Sequence, residues 1–154
     1  MQSGEPKAFP VLVVEDNPDD VLFIRRAFTK AKLANPLRFA RNGEEAVAYL
    51  MGQGAYADRN AYPLPLLILL DLKLPRMSGL EVLEWRRRQA PQLQRIPVVV
   101  LTSSRETDDV NRAYELGANT YLMKPVALDG LLGLVKQLGV YWMLLAEMPD
   151  PAAP

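Results

Sequence analysis

The stretch Leu66-Leu67-Ile68-Leu69-Leu70-Asp71-Leu72-Lys73-Leu74-Pro75-Arg76-Met77-Ser78-Gly79 decides the fold. A run of apolar residues ends on a carboxylate and is followed by a short turn containing proline. A run that is continuous rather than alternating fits a strand buried on both faces, as in a parallel sheet covered by helices. Val11–Val14 and residues 98–101 are runs of the same kind. Two weaker strands are predicted at Leu37–Ala40 and Thr120–Met123.

Helices fit between these strands. Asn17 is placed to cap the first, with Pro18 at its opening position and Asp19 and Asp20 in its first turn. Val21, Ile24, Phe28 and Ala31 then recur at helical spacing. A second helix follows Gly43, over about 44–51. Ser78 and Glu81 form a capping box for a third, which should stop before Pro91. A fourth covers about 106–116 and ends at Gly117, suited to a left-handed cap. The fifth, over about 128–147, is unusually extended. This alternation predicts an α/β fold, a five-stranded doubly wound parallel sheet with right-handed crossovers. Residues 52–64 read as a long flexible surface loop, since their Gly-Gln-Gly lacks the third glycine of a dinucleotide fingerprint. The expected domain is 9–148, with a flexible 1–8 before it and a disordered Pro/Ala-rich 149–154 after it.

Composition narrows the chemistry. The 154 residues make about one domain, and 49% hydrophobic with 23% charged is a globular profile. Eighteen basic residues balance eighteen acidic ones, which leaves no electrostatic footprint for nucleic acid or an anionic membrane. No apolar run approaches the roughly 20 residues that span a bilayer, and 1–7 carries no signal core, so a cytoplasmic location is expected. The absence of cysteine excludes disulfides, thiolate zinc sites and a Cys nucleophile. The absence of histidine excludes a Ser-His-Asp triad, an imidazole base and any role as a phosphohistidine donor. Carboxylates, hydroxyls, lysines and a hard metal ion remain.

Glu15 and Asp16 follow the first predicted strand, and Asp71 follows the third. Ligands of open α/β sheets bind beyond the C-terminal strand ends, where strand order reverses. Neighbouring strands lie about 5 Å apart, so these carboxylates should converge. Their mutual repulsion calls for a proton or a cation, and Mg²⁺ suits an all-oxygen site. Singly, Asp16 reads equally as a helix cap, Asp71 as the start of a turn and Lys124 as a solvated lysine. The pattern lies in the conjunction: an acid pair, a lone Asp, a hydroxyl and a Lys-Pro each end a predicted strand.

Four motifs in order carry a family resemblance: Val13-Val14-Glu15-Asp16-Asn17, the Leu70–Gly79 segment, Leu101-Thr102-Ser103 and Tyr121-Leu122-Met123-Lys124-Pro125. Together, over about 9–140, they resemble response-regulator receiver domains, whose fold is flavodoxin-like or CheY-like. The Thr-Ser-Ser at Thr102 and the Tyr141-Trp142 pair look like the response regulators of cyanobacterial and bacterial phytochromes. The resemblance implies that Asp71 takes a phosphoryl group from a sensor histidine kinase, a bacteriophytochrome in the finer reading. It implies Asp16 and Asp71 as direct Mg²⁺ ligands, Glu15 acting through water and the Lys73 backbone carbonyl completing the shell. It further implies that Thr102 and Lys124 hold the phosphoryl oxygens, that Thr102 and Tyr121 form the switch, and that the Lys124–Pro125 peptide bond is cis. Two positions depart from the commonest pattern. Lys73 stands where smaller or polar residues are frequent, and Glu15 replaces the usual Asp.

Thirty residues follow Lys124, too few for a DNA-binding output domain, so signalling through contacts with a downstream protein is expected. The competing readings are a phosphate-independent adaptor of the same fold and a Mg²⁺-dependent phosphatase with an Asp nucleophile. Such phosphatases usually carry Asp-x-Asp, and here the second position is Lys73. Near the chain end, Val140, Tyr141, Trp142, Met143, Leu144 and Leu145 make the last helix apolar around nearly its whole circumference. One stripe suffices to pack a helix on its own domain. The surplus, with Tyr141, Trp142, Leu144 and Leu145 as its centre, predicts a homodimer interface, the alternative being that the extension folds back onto its own domain.

Overall fold

The computed structural model describes residues 9–145 and 147–152; segment 1–8 and residues 146 and 153–154 lie outside the described residues, as do the side chains of Leu128, Leu144 and Leu145. Strand β1 (Val11–Val14) divides its residues between two cores. Leu12 and Val14 face one side with Ile68, Leu70, Val98 and Val100, while Val11 and Val13 face the other with Leu67, Leu69, Val99 and Leu101. Burial on both faces is why the central strands are apolar at every position, each large side chain contributing about 1.5–3 kcal/mol.

The chain continues as α1 (Pro18–Lys30), β2 (Leu37–Ala40), α2 (Gly43–Met51), β3 (Leu67–Leu70), α3 (Gly79–Arg87), a short α4 (Pro91–Gln94), β4 (Val98–Thr102), α5 (Thr107–Glu115), β5 (Thr120–Met123) and α6 (Leu128–Gly139). All strands are parallel, in the order β2-β1-β3-β4-β5. Ala46, Tyr49, Val82, Leu83, Ala113 and Leu116 bring α2, α3 and the α5 end onto the first face. Ile24, Phe28, Leu131, Val135 and Leu138 bring α1 and α6 onto the second.

The helix starts follow side-chain chemistry. The Asn17 carboxamide accepts the N–H groups of Asp19 and Asp20 at 2.9 and 3.3 Å, and Ser78 accepts that of Glu81 at 3.2 Å. Asn42 caps α2 through Glu45 N–H at 2.8 Å, while the Glu45 carboxylate accepts Arg41 N–H at 2.8 Å. The third helix ends at Arg87, before Pro91 as expected, and Pro91 opens a short α4 that the sequence reading did not include. Buried Arg86 joins the two by donating to the carbonyls of Leu93, Gln94 and Ile96.

Two other expectations are corrected. The 52–64 connection is anchored rather than loose. Arg59 donates to the carbonyls of Tyr49, Leu50 and Tyr62, and the Tyr49 hydroxyl donates to Pro63. The rings of Tyr49, Tyr56 and Tyr62 pack with centroids 5.1 to 6.1 Å apart. The last helix does not run regularly to Glu147. It leaves α geometry at Gly139 and continues as a π turn over Val140–Leu145. At Gly139 the helix lies so close to the end of α1 that a Cβ would stand 2.3 Å from Leu33 Cδ1. The wider turn carries Trp142 and Met143 onto the second core beside Met148. At the sheet margin, the Tyr114 hydroxyl accepts the Tyr121 N–H of β5 at 3.1 Å. Among the described residues no helix is long and apolar enough to cross a membrane.

Gly79 is where α3 touches the end of β3. A Cβ there would stand 2.2 Å from the Asp71 carbonyl oxygen and 2.7 Å from Leu72 Cα, both backbone atoms. Gly79→Ala should therefore destabilise the fold by about 1–3 kcal/mol, the cost of overpacking. Urea unfolding checks it, and an unchanged midpoint would contradict so tight an approach.

Candidate functional site

Strand register assembles the site. Val14 pairs with Leu70, so Glu15 and Asp71 emerge side by side beyond the strand ends. Asp71 N–H donates to the Val14 carbonyl at 3.0 Å, and Glu15 N–H to that of Ala40 at 2.9 Å. Carboxylate oxygens of Glu15, Asp16 and Asp71 lie within 4.8 Å of one another. Glu15 and Asp71 are 3% and 6% exposed, whereas Asp16 sits at the open rim. Strand β4 ends on fully buried Thr102, whose hydroxyl donates to Asp71 Oδ1 at 2.7 Å. Thr102 pairs with Met123, and the next residue, Lys124, donates its N–H to the Thr102 carbonyl at 2.7 Å.

The Lys124 ammonium closes the arrangement. Its Nζ lies 2.9 and 3.0 Å from the Glu15 oxygens, 3.0 Å from Asp71 Oδ2 and 2.8 Å from Asp20 Oδ2. The cis Lys124–Pro125 bond expected from the family is corrected: the described backbone holds no cis peptide bond. The four-carbon stem reaches the carboxylates without it. Asp20 is a ligand of this ammonium that the sequence reading treated only as a first-turn acid. Its place three residues after the Asn17 cap is the signal that turns it back over the strand ends.

These contacts set the charges. Burial pushes the Glu15 carboxyl up to about 8, the hydrogen bond with Asp71 adds to the rise, and Lys124 only partly offsets them. Burial would raise Asp71 too, but its bonds with Glu15 and Thr102 and the Lys124 charge hold it below the ordinary carboxylate value. Lys124 is held above the ordinary lysine value because its carboxylate partners, Asp20 and Glu15 foremost, outweigh burial. Burial thus favours the protonated form of Glu15, while the surrounding donors favour the carboxylate form of Asp71. Two like charges in so small a space require such relief. The same three carboxylates are hard oxygen donors that fit a divalent cation in the proton's place. The cleft above them is open and is lined also by Asn17, Lys73, Ser103 and Val126.

Two further residues, Ser104 and Asp109, escaped the sequence reading. The Tyr121 hydroxyl donates to the Ser104 carbonyl at 2.9 Å, and the Ser104 hydroxyl donates to Asp109 in the first turn of α5. Asp109 also pairs with the Lys73 ammonium at 3.5 Å. Toward the chain end, Tyr141 is 55% exposed and Trp142 half-buried.

A model of the response regulator receiver domain matches residues 11–136. The chain belongs to that family. Response regulator Rcp1 of Synechocystis sp. is 39% identical over 148 residues, covering 96% of this chain and 97% of Rcp1. The Mn²⁺-bound form of Rcp1 superposes with a TM-score of 0.85 at 38% identity, covering 92% of this chain and 99% of that one. The phosphorylated cyanobacterial phytochrome response regulator RcpA superposes with a TM-score of 0.86 at 38% identity, with the same coverages of 92% and 99%. The bacteriophytochrome response regulator AtBRR is 46% identical with a TM-score of 0.70, covering 92% of this chain and all of that one. The receiver domain has the CheY-like doubly wound fold expected from the strand pattern.

The raised Glu15 value has a thermodynamic signature. The unfolded chain releases this proton near 4.5 and the folded one holds it to about 8, so folding takes up a proton in that window. Stability is therefore expected to fall as pH rises through it and to level off above. In chelator, the urea midpoint of the wild type should drop between about pH 5 and about pH 8 by more than that of Glu15→Gln. Parallel curves would mean that Glu15 does not carry the proton.

Proposed function

We propose that Asp71 of this receiver domain accepts a phosphoryl group from the phosphohistidine of a sensor histidine kinase. The observation that carries the reading is the Asp71 carboxylate held between the Thr102 hydroxyl and the Lys124 ammonium at the floor of an open cleft. A carboxylate oxygen forms the new bond to phosphorus while the bond to the imidazole nitrogen breaks, and the imidazole leaves with its electron pair. Lys124 exchanges its carboxylate partners for the phosphoryl oxygens as a compact point charge. Thr102 turns its hydroxyl to the same group, and Tyr121 follows behind it, which alters the face formed by α5, β5 and α6. Mg²⁺ fits the acid set, with Asp16 and Asp71 as direct ligands, Glu15 through water and the Lys73 carbonyl completing the shell. When bound it supplies charge neutralisation for a transfer that depends on positioning. The domain's only chemistry is then its own phosphorylation and dephosphorylation, and the Lys73 side chain beside Asp71 tunes the latter.

Similarity to Rcp1, RcpA and AtBRR supports a phytochrome-type kinase as the donor. The balanced charge supports a cytoplasmic protein that meets neither nucleic acid nor membrane and signals to a downstream protein. Residues 9–148 act as the receiver domain, with 1–8 and 149–154 outside it. Exposed Tyr141, next to half-buried Trp142, supports a homodimer through α6 and its extension, to which Leu144 and Leu145 belong by sequence.

Incubation with a small phosphodonor and Mg²⁺, read by intact mass, should add one phosphoryl group to the wild type and none to Asp71→Asn. Labelling of that variant would sink the assignment, and turnover of phosphoesters would favour a hydrolase. Asp16→Ala should weaken metal binding by at least about tenfold, whereas Lys124→Ala should keep the metal and slow phosphorylation. Sedimentation at micromolar concentration tests the dimer. A monomer with and without phosphorylation, or a dimer indifferent to Tyr141→Glu, would remove it.

A further inference from the structure

A closed circuit of polar contacts starts and ends on the Asp71 carboxylate. Its Oδ1 accepts from the Thr102 hydroxyl at 2.7 Å and from the Lys73 N–H at 3.3 Å. The Thr102 hydroxyl oxygen accepts the Ser104 N–H at 3.4 Å. The Ser104 hydroxyl donates to Asp109 Oδ2, and that oxygen lies 3.5 Å from the Lys73 ammonium. Lys73 thus joins the circuit twice, by its backbone at Asp71 and by its side chain at Asp109. One branch leaves it at the Ser104 carbonyl, which accepts the Tyr121 hydroxyl at 2.9 Å.

Asp109 has no role in metal or phosphoryl chemistry, yet the side chains of Ser104 and Lys73 converge on it. Its side chain is 15% exposed, against 61% for Lys73, so the Ser104 bond is the better shielded of its two contacts. Ser104 itself is buried, so the segment between β4 and α5 is pulled inward at this one residue. The contact to Lys73 lies near the surface and adds less than the hydrogen bond does.

We infer that Asp109 is a positioning residue for the switch: by accepting the Ser104 hydroxyl it holds the β4–α5 connection over Asp71 and keeps the Tyr121 hydroxyl docked on the Ser104 carbonyl. Phosphorylation acts on the same circuit from its other end, since a phosphoryl group competes for the Thr102 hydroxyl and the Lys73 ammonium. This consequence rests on the reading of Asp71 as phosphoacceptor, whereas the docking itself does not.

The test uses the full unphosphorylated chain carrying 3-fluorotyrosine at its six tyrosines, with the Tyr121 resonance assigned by Tyr121→Phe. Asp109→Ala and Ser104→Ala should each move that resonance toward the position of free fluorotyrosine, by similar amounts. The docked-to-undocked ratio should fall about fivefold, as expected for loss of one ordinary hydrogen bond. The double variant should move it no further, because both changes break one link. Asp109→Asn keeps an oxygen acceptor for Ser104 and should restore most of the docked signal. An unmoved resonance in a folded Asp109→Ala would overturn the inference. Additive shifts in the double variant, or an Asp109→Asn as damaging as Asp109→Ala, would also overturn it. Failure of Asp71 to take up phosphate would instead strike the functional reading and leave these spectra valid.

Discussion

One ammonium shared by three carboxylates organises this end of the molecule. Lys124 comes from the end of β5, Glu15 from the end of β1, Asp20 from α1 and Asp71 from the end of β3. Elements far apart in sequence must therefore be in register before any of these charges is compensated. Without the lysine, the buried Asp71 carboxylate would lose its cationic partner beside Glu15, a costly loss for a charge held below the surface. The strand order supplies the geometry. The chain steps from β1 outward to β2 and then back across to β3, and the crevice opens where the direction of winding reverses.

Much of this was legible in the residues. The central strands are apolar at every position because each has a core on both sides, so continuous runs pointed directly to a parallel sheet. The Asn17, Pro18 and Ser78 starts were legible because capping is local chemistry. The convergence of Glu15, Asp16, Asp71, Thr102 and Lys124 followed from placing each at a strand end. What could not be read depended on distant contacts. The π turn begins just after Gly139 packs against Leu33, the anchoring of 52–64 rests on where the Arg59 guanidinium lands, and the short α4 is held by Arg86 reaching its carbonyls. Asp20 looked like an ordinary first-turn acid and Asp109 was not singled out, since helix position explains an acid there without revealing its partners.

Tyr121 connects the polar and apolar halves of the design. Its ring packs against the core beneath α2, α3 and α5, while its hydroxyl reaches the segment that borders Asp71. A change in the segment's position must therefore either carry the ring along or break the hydroxyl contact. Because a packed core resists partial displacement, the side chain favours discrete arrangements over a graded one.

The Tyr114 hydroxyl over the Tyr121 N–H gives the outer margin of the sheet a second property. An edge strand with free N–H and C=O groups is a template onto which any extended segment can add, including the same strand of another copy. Here a donor in the middle of β5 is already taken by a side chain of the preceding helix. Strand-to-strand growth along that margin is obstructed, so copies meeting on this side do so through side chains on helices. The Tyr114 contact removes one of the donors on which an added strand would depend.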